Sequence, residues 1–106
     1  MTIEERLKEY LTGQEERVGF ILSDGKIVEV ENVAADKKQG FSVKPEDLIK
    51  YENEAVASWH THPGASSNLS MDDYAAFVSW PDWKHYVIGI DGVSCFEVID
   101  GVVVKA

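Results

Sequence analysis

Ala55-Val56-Ala57-Ser58-Trp59-His60-Thr61-His62-Pro63-Gly64 is the stretch on which the reading of this chain turns. Residues 55–62 are expected to form a strand that stops at Pro63-Gly64, because proline removes a ladder donor. On a strand, side chains two apart share a face, so His60 and His62 point one way and Trp59 and Thr61 the other. Two imidazoles on one face at a strand end can chelate one metal without backbone strain.

The flanking segments supply the rest of the architecture. Residues 2–11 read as a helix, with Thr2-Ile3-Glu4-Glu5 as a capping box, Ile3, Leu7, Tyr10 and Leu11 on one stripe, and Gly13 as a stop. Residues 17–22 and 26–33 read as strands joined at Ser23-Asp24-Gly25, where Asp-Gly favours a tight hairpin. Residues 34–40 form a polar loop. Residues 45–53 form a short helix, with Pro45 in its first turn and Glu46 and Asp47 at its positive end. Beyond the histidines come a small-residue loop at 65–69, a helix at 70–80, a strand at 86–91, and a hairpin of 95–100 with 102–105 around Asp100-Gly101. With no linker, repeat or low-complexity tract, residues 1–106 are expected to be a single domain. Helices interleaved with hairpins predict an α+β or α/β fold, a mixed central β-sheet flanked by helices.

Composition narrows the functions. At 44% hydrophobic, the 106 residues can bury a core, which argues against global disorder. Ten Lys+Arg against nineteen Asp+Glu leave a net charge of −9. Such a surface repels phosphate backbones and anionic lipid, so neither nucleic acid nor a membrane is an expected partner. The single cysteine, Cys95, excludes an internal disulfide framework and a Cys-rich zinc site. No apolar run approaches the roughly 18–20 residues of a membrane span. The acidic, amphipathic start is unlike a secretory signal, so a cytoplasmic location is expected.

Zinc takes imidazole nitrogen and, in a catalytic site, a third protein ligand with water in the fourth place. Asp72 and Asp73 are the residues able to supply that ligand. Ser70-Met71-Asp72-Asp73 also reads as a helix start, with Ser70 as cap and Asp73 reaching back. Asp72 lies about 100° from Asp73 round a helix and suits a solvated first-turn acid. His85 reads as structural or surface, Trp59, Trp80 and Trp83 as packing residues, and Cys95 as a small packed hydrophobe.

His60-x-His62-Pro63 followed after six residues by Ser70-x-x-Asp73 resembles the signature of the JAMM (MPN+) metallopeptidases. The family places a catalytic glutamate three residues before a glycine that enters the first long strand. Glu16-Arg17-Val18-Gly19 looks like that segment, and the spacing selects Glu16 over Glu15. The order of elements resembles the family across nearly the whole chain. The resemblance implies the JAMM/MPN, cytidine-deaminase-like fold. It implies a Zn2+ ion held by His60, His62 and Asp73, with Glu16 as general base then acid and Ser70 as oxyanion donor. The implied activity is hydrolysis of a peptide or isopeptide amide in a protein or peptide substrate. A ubiquitin-like conjugate, a phage tail protein and a cell-wall peptide are the candidate substrates. At this length the chain looks like a minimal prokaryotic or phage-type member, and Phe41-Ser42-Val43-Lys44-Pro45-Glu46-Asp47-Leu48-Ile49-Lys50-Tyr51, leading into the histidine strand, resembles the peptidase domain of phage tail-assembly proteins.

Two other classes stand against that reading. A catalytically silent scaffold of the same fold characteristically loses the ligands, and all five positions are present here. A zinc deaminase pairs His-x-Glu with Pro-Cys-x-x-Cys, for which one cysteine does not suffice.

Overall fold

The computed structural model describes residues 1–106 as three helices and a six-stranded mixed sheet, an α+β arrangement. Helix α1 (Ile3–Lys8) precedes the hairpin β1 (Val18–Leu22) and β2 (Ile27–Val30). Helix α2 (Pro45–Tyr51) leads into β3 (Ala55–Thr61), and α3 (Met71–Val78) crosses from β3 to β4 (Lys84–Gly89). Strands β5 (Gly92–Ile99) and β6 (Val102–Lys105) finish the chain. The spatial order is β2-β1-β3-β4-β5-β6. All neighbours are antiparallel except β3 and β4, the parallel pair that α3 joins.

Local chemistry accounts for these elements. Thr2 Oγ1 accepts the Glu5 amide at 3.2 Å while Glu5 accepts the Thr2 amide, the expected capping box. The helix ends earlier than residue 11 because the Tyr10 and Leu11 amides turn to the carbonyls of Leu7 and Lys8, three residues back. The Asp24-Gly25 hairpin forms as expected, with Gly25 at φ 87 and the Leu22 amide donating to the Lys26 carbonyl. Strand β4 begins two residues before the expected start, at Lys84, and β5 begins at Gly92 instead of 95. Both extensions carry a buried polar residue, His85 and Ser94.

The sheet is covered on both faces. Under α1, fully buried Leu7 packs with Ile21, Ala57, Trp59 and Ile88. The opposite face carries Val18, Phe20 and Leu22 beneath α2, and Val87 and Phe96 beneath Phe77 of α3. Trp59 reaches across β1 to donate to the Val28 carbonyl at 3.2 Å. A Cβ on Gly19 would lie 2.8 Å from that indole, so only glycine fits there. No helix is long and apolar enough to cross a membrane.

Candidate metal centre

The site follows from one register. Val18 of β1 pairs with His60 of β3, so Glu16, two residues before Val18, lies across from His62, two after His60. The ladder continues past the named strands, because Thr61 donates to the Arg17 carbonyl at 2.9 Å and its hydroxyl accepts the Arg17 amide at 2.8 Å. Period two then puts Glu16, His60 and His62 on the face opposite Trp59. Helix α3 brings Asp73 to the same point through its capping box. Ser70 Oγ accepts the Asp73 amide at 3.1 Å, and Asp73 Oδ2 accepts the Ser70 amide at 3.0 Å.

Four groups therefore converge. The Nε2 atoms of His60 and His62 are 3.1 Å apart. The Asp73 carboxylate reaches both, Oδ1 at 3.1 Å from His60 and Oδ2 at 3.0 Å from His62. Ligand atoms of Glu16, His60 and His62 lie within 4.8 Å of one another, and this group could hold a metal ion. His60, Asp73 and Glu16 are buried at 1%, 4% and 7% exposure, while Asp72 is exposed, as a solvated first-turn acid would be. Ser70 is also exposed; its hydroxyl oxygen accepts in the cap, which leaves the O–H free to donate into the cleft.

Two observations test whether a cation suits these residues. His62 Nδ1 lies 2.9 Å from the Ser66 carbonyl, which only accepts, so the ring proton sits on Nδ1. In the neutral ring, Nε2 then presents a lone pair to Asp73 and to the Nε2 of His60. Either a second proton or a cation must occupy that point. The separations of 3.0–3.1 Å are close to the roughly 3.3 Å edge of a tetrahedron built on metal–nitrogen bonds of about 2.0–2.1 Å. The second observation is Glu16 Oε1, which is buried with no hydrogen-bond partner. The residues fit a metal ion.

Charge states follow from burial and pairing. Burial pushes the Glu16 carboxyl up to about 7, nearby His62 opposing and Asp73 adding to the rise. Burial pulls His60 down against the pull of Asp73, whereas the hydrogen bond to Asp73 raises His62. Asp73 is penalised by burial, yet hydrogen bonds from both imidazoles and the Ser70 amide hold it well below the usual carboxylate range.

The neighbouring loops are fixed in different ways. Ala65, Ser66 and Ser67 lie directly on Gly89, where any Cβ would collide with their backbone. The Ser67 amide donates to Asp91 Oδ1 at 2.7 Å and the hydroxyls of Ser67 and Ser94 share a hydrogen bond of 2.7 Å, which secures them and hence the carbonyl that orients His62. On the other side Asn32 donates to the carbonyls of Glu16 and Gly40 and accepts from the amides of Ala34 and Ser42. Glu16 is held further by its amide, which donates to the Lys37 carbonyl at 2.6 Å. Sequence reasoning missed Asn32, Ser66 and Phe41, whose ring lies 4.5 Å from that of His60. An asparagine flanking a polar loop was the available signal for the first.

A cleft of about 500 Å³ opens over the site, lined by Glu16, His62, Ser70, Lys38, Gln39 and Asn68 among others. His85 lies outside it, buried in β4 and stacked on Phe77 at 4.3 Å, and so is not the surface residue that was one of its two expected places. Cys95 is half-buried and burial pushes its thiol up, which suits packing and not nucleophilic attack. No family model matches the chain, and no curated protein matches its sequence.

Proposed function

We propose that this domain is a zinc-dependent hydrolase of peptide or isopeptide amide bonds, of JAMM type. The observation that carries the reading is the meeting of His60 Nε2, His62 Nε2 and the Asp73 carboxylate at 3.0–3.1 Å, beside the unpartnered Glu16 carboxyl. The motif resemblance supports it, and the α+β architecture with its mixed six-stranded sheet is compatible with it.

In this reading His60, His62 and Asp73 hold the cation, with the ring of His62 oriented by Ser66. When bound, the zinc makes hydroxide available near neutral pH and polarises an amide carbonyl. Glu16 takes the proton from the attacking water, whose oxygen adds to the carbonyl carbon. As the carbon–nitrogen bond breaks, Glu16 passes the proton to the departing amine. A carboxyl already poised near 7 by burial suits a group that must both accept and donate. Ser70 donates its free O–H to the oxygen that gains charge, a contribution of roughly 3–4 kcal/mol for such a donor.

Native mass spectrometry with one equivalent of zinc, run beside hydrolysis of isopeptide-linked and cell-wall peptides, tests this. Wild type and Glu16→Gln should each bind one zinc and His60→Ala none, with turnover confined to wild type. Turnover by Glu16→Gln would remove Glu16 from the mechanism. A folded wild type that binds no zinc would leave a silent scaffold as the better account.

A further inference from the structure

A second cavity lies on the same sheet face, behind the metal strand and roofed by α2. Its volume is about 210 Å³, and its lining is mostly apolar. An apolar cavity of about 150 Å³ is enough to take a benzene ring. Trp80 and Trp83 form one wall as a stacked pair, 4.7 Å between centroids at 9°. Phe20, Phe41 and Phe77 contribute further ring faces, so an aromatic occupant would meet aromatic surface on several sides. Helix α2 contributes Leu48 to the lining, and although none of its residues is fully buried, Leu48 and Tyr51 pack against the cluster of Val18, Phe20 and Leu22 beneath it.

The cavity is not uniformly apolar. Ser58 and His85 line it, with Ser58 Oγ 2.6 Å from His85 Nδ1 and His85 Nε2 3.0 Å from the Trp80 carbonyl. The carbonyl only accepts, so Nε2 carries the proton of a ring that burial keeps neutral, its pKa lowered to about 4. Nδ1 is then an acceptor and the Ser58 hydroxyl spends its proton on it. What Ser58 retains is acceptor capacity at the edge of an aromatic-lined pocket.

We propose that this cavity is a binding site for a neutral single-ring aromatic bearing one hydrogen-bond donor, a phenol, with Ser58 Oγ accepting the phenolic proton. The site stands independently of the proposed hydrolysis. The same ring chemistry is offered by a free phenol and by the tyrosine side chain of a peptide.

Titration of the intact chain in EDTA, followed by the indole N–H signals of Trp80 and Trp83 in 1H–15N spectra, tests it with the metal centre kept silent. p-Cresol should shift both indole signals saturably while the Trp59 signal, on the other face, stays put. Toluene should bind about three- to tenfold more weakly, and Ser58→Ala should erase that preference. Ala76→Leu, or Val43→Phe on the opposite wall, should block both ligands while the amide spectrum stays dispersed. N-acetyl-tyrosinamide assigns the source: the same shifts point to a peptide side chain, their absence to a free phenol. No saturable shift with p-cresol would overturn the site, and equal binding of p-cresol and toluene would overturn the role of Ser58.

Discussion

The two faces of the sheet are built from alternate residues of the same strands, yet they do different work. In β3, Ala57 and Trp59 enter the fully apolar cluster under α1, while Ser58 and His60 turn toward α2 and α3. Every buried ionisable group, Glu16, His60, Asp73 and His85, lies on the second face, as do both the polar cleft and the aromatic cavity. A cleft of about 340 Å³ also opens beside α1, lined by Lys8, Leu11, Gly89, Ile90, Asp91 and Gly92, and none of these buried groups reaches it. The contrast teaches that strand periodicity sorts stability from chemistry at single-residue resolution, so substitutions one position apart should have unlike consequences.

The largest effect belongs to the α1 face. Trp59→Ala should lower unfolding free energy by roughly 3–5 kcal/mol in urea titration, since the side chain is fully buried across Gly19. Zinc stoichiometry of the remaining folded protein should not change. Loss of zinc from a still-folded variant would break the division between faces.

On the other face, acid should be the probe of His85. Its folded pKa, about 4, lies below the ordinary 6.5, so the unfolded chain binds the extra proton between those values. Stability of the metal-free protein is therefore present above pH 6.5 and lost as pH falls toward 4, by up to roughly 3 kcal/mol. Urea midpoints at several pH values should show this slope in wild type and a shallower one in His85→Gln. Equal slopes would mean that the imidazole is not held neutral.

Asp73→Asn should weaken zinc binding by more than the roughly 10–100-fold that loss of an outer partner brings, measured by competition with a chelator. Asp72→Asn, one residue away and exposed, should leave affinity unchanged. The smallest effect is expected at Thr2→Ala, which removes the α1 cap for about 1 kcal/mol and should leave metal affinity unaltered.

All nine elements were legible in order from the sequence, because capping boxes and Asp-Gly turns are local signals. The misplaced starts of β4 and β5 have a common cause. His85 and Ser94 look polar, and only their burial, His85 against Phe77 and Ser94 opposite Val87, carries the strands through them. Asp91-Gly92 carried the same turn signal as the other hairpins, with Gly92 at φ 120. In the site, the pair His60 and His62 was readable from period two, and Asp73 was separable from Asp72 by motif spacing. Phe41 and Ser66 were not readable, since each acts through a loop whose course is set by contacts distant in sequence, and Asn32 offered only the signal of an asparagine flanking a polar loop.

The clasp between Arg17 and Thr61 bears on when the centre can exist. His62 and Asp73 are 11 residues apart and can meet as soon as α3 forms, whereas Arg17 and Thr61 are 44 apart. Closing that longer loop is a non-local event and belongs among the slower steps of folding. The contact between His62 and Asp73 therefore carries a smaller loop-closure cost than the pairing that places Glu16. Under the proposed function, the contact that brings two ligands together closes a shorter loop than the pairing that sets the general base beside them.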